Sequence, residues 1–302
     1  MHKLKFFRNG LPIILLFFSL NIYAQQLRVL VIKAHPDEAE EYAGGTAALL
    51  KEAGHAVKFL SLTNGDVGHW TMTKEAIAKR RKAEALEAGK RLGGVEYEIL
   101  NYHDGELEST VEVRKEIVRV IREWNVDLII SFKPMFGGGH PDNMAAARAL
   151  QEGAGLSMAP LFMPEIPALK KKPVFLFMRD YYSKSFPHKP DFVIPIDRTI
   201  EKKLASFDAH ASQFYEFAPY QRGLLDEVPE GWTEKKVFLH KYWGEFSAVS
   251  GEMKSWLENR FGKEQAATFQ YAEEFEYAPF SRKMTEEEVI SFFPVLRVKN
   301  NN

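Results

Sequence analysis

From Gln26 to about Gln213 the chain alternates short apolar runs with stretches patterned as helices. "LRVLVIKA" (27–34) is a near-continuous apolar run, as expected of a strand covered on both faces. A helical stretch from about Glu40 to Ala53 follows, closed by Gly54. "AVKFLSLT" reads as a second strand. The next stretch, "TKEAIAKRRKAEALEAGKRLGG", combines strong helix formers with a Thr start and a Gly-Gly stop. "EYEIL" is a short third strand, Val111 to Trp124 the next helix and "VDLIISF" a fourth strand, with a helix from about Asn143 after a glycine-rich loop. "PVFLFMRD" and "DFVIPID" read as strands five and six, and Thr199 to Gln213 as a further helix.

This alternation predicts βαβ units: a Rossmann-like α/β fold with a mostly parallel, doubly wound sheet and helices on both faces. In such sheets ligands bind beyond the carboxyl ends of the strands, where strand order reverses. The loops at that edge are the ones rich in chemistry. His35, Asp37 and Glu38 follow strand one, Asn64, Asp66 and His69 strand two, His103 and Asp104 strand three, and His140, Asp142 and Asn143 strand four. Beyond Gln213 the text becomes aromatic and turn-rich, with one or two helices between Thr233 and Phe261. Residues 215–302 are expected to form an extension that packs on or lids an α/β domain spanning 25–214.

Residues 1–24 stand apart. Lys3, Lys5 and Arg8 precede the apolar "LPIILLFFSL", and "NIYA" ends in the small residue Ala24. That is the pattern of a cleaved signal peptide, and the run is short for a membrane span. It predicts an exported protein, periplasmic or extracellular, with an uncleaved anchor as the alternative. No later stretch is long and apolar enough to cross a bilayer. Without the signal, 37 basic residues face 41 acidic ones, a formal charge of −4. Nothing there favours nucleic acid or an anionic membrane surface. The absence of cysteine excludes thiolate nucleophiles and cysteine metal ligands.

The densest chemistry lies in "AHPDEAEEYAGG" (34–45). Neutral imidazole and carboxylate oxygens are what a zinc-type cation accepts when cysteine is absent. A further carboxylate beside such a cation can act as general base. Turns of this kind also cap helices, and capping is the bland alternative. Gly44 and Gly45, early in a helix, each cost roughly 1 kcal/mol against alanine, which suggests close backbone approach to the sheet or a ligand. No G-x-G-x-x-G is present, which disfavours a dinucleotide fold. His-Pro-Asp recurs in "GGGHPDN" (137–143), and a repeat at the same sheet edge weakens the capping alternative. Arg81 and Glu84 could be a solvated pair on a charged helix, and His210 a buried histidine bonded to a backbone carbonyl.

The chain resembles the LmbE/PIG-L family of zinc-dependent N-deacetylases. The resemblance rests on "AHPDEAE", the following "GGT", "SLTNGDVG", "RRKAEALEAGKRLG", "YHDGEL", "GHPDN" and "KKLASFDAHASQ", in family order over about residues 27 to 215. It implies a Rossmann-like fold, a divalent metal with zinc foremost, and removal of acetyl groups from amino sugars, glycoconjugates or related amides. His35 matches the first metal histidine, Asp37 the general base and His140 a histidine that helps stabilise the tetrahedral intermediate. Arg81 matches an arginine associated with substrate, and Asp66, Asp104 and His210 join it as candidate substrate contacts. Glu38 occupies the position of an aspartate ligand and Asn143 that of a histidine ligand. An amide oxygen suits harder cations better than zinc, so His69 and His103 are candidate substitute ligands. Glu40 is expected to support the ligands from behind, and Glu41 to face solvent. The alternative is a non-catalytic carbohydrate-binding relative with a degenerate metal site.

Overall fold

A computed structural model describes residues 26–134, 139–181 and 188–298. The signal pattern at 1–24, Gly137 and Gly138 of the second His-Pro-Asp stretch, and the polar end lie outside the described residues. Seven strands form one sheet: β1 Arg28–Lys33, β2 Ala56–Thr63, β3 Glu96–Tyr102, β4 Leu128–Ser131, β5 Val174–Met178, β6 Phe192–Pro195 and β7 Ala272–Tyr277. The first helices are α1 Glu38–Glu52, α2 Lys74–Arg91, α3 Val111–Trp124, α4 Pro141–Ala154 and α5 Ile200–Ala209. After a π-helical turn at Ser212–Phe217 come α6 Ala218–Arg222, α7 Trp232–Trp243, α8 Gly251–Phe261, α9 Lys263–Ala266 and α10 Glu286–Phe292. No helix among the described residues is long and apolar enough to cross a membrane.

The strand order is β3-β2-β1-β4-β5-β7-β6. β1 lies parallel between β2 and β4, with Val29 opposite Val57 on one side and Leu128 on the other. Every β1 residue after Arg28 is buried, because alternate side chains enter the cores on opposite faces of the sheet. Val29, Val31, Val57 and Phe59 pack with α1 and α5, whereas Leu30, Ile32, Leu60 and Ile129 pack with α3 and α4. Strand order reverses between β1 and β4. The loops after those two strands therefore meet at one crevice, and they are the two that carry His-Pro-Asp.

The segment after Tyr215 does more than pack on the domain. It supplies β7, which pairs antiparallel with both β5 and β6 inside the sheet. Glu273 of β7 is buried and bonds Lys203 of α5 at 2.7 Å. The same carboxylate accepts the Gly45 and Thr46 N–H groups at 2.9 and 2.7 Å, so β7 grips the middle of α1. Gly45 has a second reason to be glycine. A Cβ there would lie 2.6 Å from the Ile196 side chain just beyond β6.

Candidate active site

A cavity of about 500 Å³ opens at the β1/β4 crevice. His35, Asp37, Glu38, Arg81, Asp104, His140 and Asn143 form its polar side, and Val67, Phe214, Phe217 and Trp243 its apolar side. Glu41, expected to face solvent, is half-buried and lines the cavity. Burial and the charges of Asp37 and Glu38 hold its carboxyl well above the usual range.

His35 is the centre of the polar side. Its Nε2 lies 3.0 Å from Asp104 Oδ1 and 3.4 Å from Asp142 Oδ2, and its Nδ1 lies 3.4 Å from Glu38 Oε1. Burial alone would lower the ring's pKa, but the Glu38 charge and the bonds to Asp104 and Asp142 outweigh it and hold it well above the usual value. For Glu38 burial acts upward, and the His35 charge and hydrogen bond take its carboxyl down to about 2. The His140 ring meets His35 edge-on, 4.6 Å between centroids. Ligand-capable atoms of His35, Asp104, His140 and Asp142 all lie within 4.8 Å of one another. The His35 imidazole and the Asp104 and Asp142 carboxylates are donors that suit a divalent cation of the zinc or manganese type, with the His140 ring beside them.

Glu38 and Asn143 reach the same cavity but bond each other: Asn143 Nδ2 donates to Glu38 Oε1 at 2.6 Å. Asn143 Oδ1, the atom able to ligate, is buried without a partner among the described residues. It stands beside the cluster as an open acceptor.

Asp37 begins α1 without capping it. Its side chain makes no capping bond, and its backbone holds φ 127° and ψ −32°. A non-glycine residue rarely adopts positive φ, and such strain costs on the order of 1–3 kcal/mol. Arg81 holds the turn from the cavity side, with Nη2 donating to Pro36 O at 2.9 Å and to Asp37 Oδ1 at 3.1 Å. Burial pushes the Asp37 carboxyl up to about 6, against the opposing charges of Arg81 and His210. Arg81 also donates to Gly65 O at 3.2 Å, and Gly65, at φ +67°, leaves no room for a side chain there. The Arg81–Glu84 pair does not form. Glu84 bonds Arg80 at 2.9 Å and Ser212 instead, which leaves Arg81 to the cavity.

The remaining candidates do not line the cavity. Asp66 is buried and accepts from Asp104 N at 2.9 Å and lies 2.6 Å from His103 Nδ1, so it orients the loop that presents Asp104. His103 itself is exposed and outside the cluster. His210 is fully buried and bonds the Glu40 carboxylate at 3.0 Å rather than a backbone carbonyl. For its ring, burial acts downward and Glu40 outweighs it, so the pKa rises. His69 is committed at both nitrogens, Nε2 to Glu216 at 3.1 Å and Nδ1 to Thr71 N at 3.1 Å, and its ring stacks on Trp70. Neither His69 nor His103 is placed to substitute as a ligand.

Asp142 stood among the polar residues of the sheet edge without a role of its own; its carboxylate accepts from Gly105 N at 2.7 Å and Leu107 N at 3.2 Å while facing His35. One residue escaped sequence reasoning: Tyr97 carried no signal beyond its strand, and its hydroxyl touches both Asp37 and Glu40. Nothing local points to it.

A near-neutral carboxylate beside an imidazole–carboxylate cluster, at the switch point of a doubly wound sheet, defines an α/β enzyme built for metal-assisted acid–base chemistry. Comparison with known proteins agrees. The PIG-L pattern, described as GlcNAc-PI de-N-acetylase, matches residues 30–153. Diacetylchitobiose deacetylase of Thermococcus kodakarensis is 32% identical over 203 residues, spanning 65% of this chain and 75% of the relative. A probable N-acetyl-alpha-D-glucosaminyl L-malate deacetylase 2 of Bacillus cereus is 30% identical over 193 residues, spanning 61% and 83%. The protein belongs to the PIG-L family. Among solved structures, N,N'-diacetylchitobiose deacetylase from Pyrococcus horikoshii superposes with a TM-score of 0.63 at 23% identity, covering 87% of this chain and 88% of that one. The 4-carboxy-2-hydroxymuconate hydratase of Pseudomonas putida reaches 0.61 at 20% identity, covering 86% and 99%. The fold is thus shared with a different chemistry, and the activity has to be argued from the site.

Proposed function

We propose that the chain is a metal-dependent hydrolase that removes acetyl groups from N-acetylated amino sugars or related amides, and that it acts outside the cytoplasm after export by its first 24 residues. The observation that carries the reading is Asp37. Its carboxyl, pushed up to about 6, is kept off the helix it begins and held in the cavity beside the His35 cluster. The relatives named for diacetylchitobiose and for N-acetylglucosaminyl malate supply the substrate class, an acetamido sugar.

In the reaction the oxygen of water bonds to the acetyl carbon, the C–N bond breaks, and one proton passes from water to the departing amine. Asp37, with a pKa close to the working pH, takes that proton and returns it. His140 Nδ1 accepts the Asp142 N–H at 3.3 Å, so a neutral ring carries its hydrogen on Nε2 and can donate it to the oxyanion. His35, Asp104 and Asp142 would hold the cation, with Asn143 Oδ1 as a further acceptor. A divalent cation there, zinc foremost, would supply Lewis acidity toward the carbonyl and toward water. Arg81, bonded to Pro36 and Asp37, keeps the base in register.

Acetate release from N,N'-diacetylchitobiose by the mature chain tests the reaction, and metal analysis tests the centre. Protein that binds none of zinc, manganese or calcium stoichiometrically would sink the mechanism. The export reading is checked by the mature N-terminus, expected at Gln25. One observation favours a second reading, a sugar-binding relative without hydrolysis: the Glu38–Asn143 bond engages two positions that the family resemblance gives as ligands. It expects sugar binding by calorimetry with no acetate released, and no change on Asp37→Asn.

A further inference from the structure

Asp37 occupies an N-cap and does not cap. In the same molecule Thr73, Thr110 and Thr285 occupy N-caps at φ −70°, −85° and −72°, and each side chain accepts a backbone N–H of its helix. That is the ordinary arrangement, and aspartate is among the residues best suited to it. At φ 127° and ψ −32°, against ψ 156°, 172° and 163° at those threonines, the Asp37 carboxylate is turned away from the free N–H groups of α1. A conformation of this kind persists only where the surroundings over-determine it.

Two groups supply the constraint from opposite sides. Arg81 holds the Pro36 carbonyl and the Asp37 carboxylate. Behind the turn, Tyr97 Oη accepts the Asp37 N–H at 3.2 Å and donates to Glu40 Oε2 at 3.1 Å. A carboxylate only accepts, so Glu40 takes the phenolic hydrogen and leaves an oxygen lone pair for the Asp37 N–H. Glu40 is fixed in turn by His210 at 3.0 Å, and the Tyr97 ring by Phe59, edge-on at 5.5 Å. Tyr97 stands on β3, 60 residues along the chain from the peptide it holds.

We infer that Tyr97 is a positioning residue for the base: its hydroxyl, oriented by Glu40, holds the Asp37 peptide at positive φ and so keeps the carboxylate in the cavity and off the helix cap. The inference rests on the reading of Asp37 as the base. Without the hydroxyl the peptide relaxes to the extended conformation and the carboxylate turns to the N–H groups of α1.

Tyr97→Phe removes one oxygen and keeps the ring. Its kcat should fall about ten- to a hundredfold, the penalty of misplacing a reacting group by about an ångström, while KM stays within about twofold. In an Asp37→Asn background the same change should leave the residual rate unaltered. A merely structural role would lower the yield of folded enzyme and act equally in both backgrounds. Glu40→Gln, which can turn an N–H to the phenol oxygen and reverse its hydrogen, is the second variant and should show the same loss in kcat. A crystal structure of Tyr97→Phe decides the point independently of activity: Asp37 at negative φ with its carboxylate on the α1 N–H groups is the expected result. Asp37 still at positive φ, with kcat unchanged, overturns the inference. If the wild-type chain releases no acetate, the proposed function fails, and the crystal structure still rules on Tyr97.

Discussion

The two His-Pro-Asp turns of this protein share three residues and little else. In the first, Asp37 is the N-cap and helix α1 begins at Glu38; in the second, His140 is the N-cap and α4 begins at Pro141. The same tripeptide therefore meets its helix two residues out of register. The shift exchanges the parts. His35 is buried among carboxylates while His140 is exposed and accepts a backbone N–H. Asp37 is strained and titrates close to neutral pH, while Asp142 is fully buried and held in place by the Gly105 and Leu107 N–H groups. One turn supplies a reactive carboxylate and the other a fixed one, and their meeting at the β1/β4 switch point makes the site.

The sharpest way to break the comparison is to neutralise each aspartate in turn. Asp37→Asn should lower kcat on an acetamido sugar by about 10³-fold, the range of general-base loss, with bound metal retained by elemental analysis. Its stability should move the other way. A carboxyl raised to about 6 in the folded chain, from about 3.9 unfolded, stabilises below pH 4 and loses that contribution as pH rises through 6. In chelator-treated protein the stability of Asp37→Asn relative to wild type should therefore climb between pH 4 and 7, by up to about 3 kcal/mol, in urea titrations. A flat difference would remove the strained-base reading.

Asp142→Asn should instead be destabilised by about 2 kcal/mol, since one of two buried N–H groups loses a charged acceptor. Its metal affinity should fall as well, read by calorimetry with zinc. His140→Ala should lower kcat about 10²-fold or more while keeping the metal, which separates a donor from a ligand. His35→Ala should lose the metal. Asn143→His, facing the same cluster, is expected to strengthen zinc binding, and unchanged affinity would exclude position 143 from the centre. The smallest effects belong to His69→Ala and His103→Ala, whose side chains are committed elsewhere; neither should change metal stoichiometry.

Much of the architecture was legible because local pattern and environment agree. The run 27–34 is apolar throughout and forms a strand covered on both faces. The stretch Val111–Trp124 carries its Thr cap, an apolar stripe and a left-handed Asn125 stop, and forms that helix. β7 was not legible. "AEEFEY" reads as solvated, yet Glu273 is buried against Lys203 and Glu274 against Arg179, partners 70 and 95 residues away. A buried acid can be recognised only once its cation is known, and the chain does not announce the pairing.

The site divides in the same way. Sequence alone determined which residue types gather at the carboxyl edge of the sheet: the strand-to-helix rhythm fixes which loops lie there, and composition fixes what those loops hold. Tertiary structure decided the roles, because they depend on distances between residues remote in sequence. His35 meets Asp104 and Asp142 only where β1, β3 and β4 bring their ends together. His210 and Asp66 turn inward because Glu40 and Asp104 are there to be held. Whether an aspartate before a helix caps it or faces the cavity is a matter of the two backbone torsions at one residue, and at Asp37 they are set by Arg81 and by Tyr97, from α2 and β3.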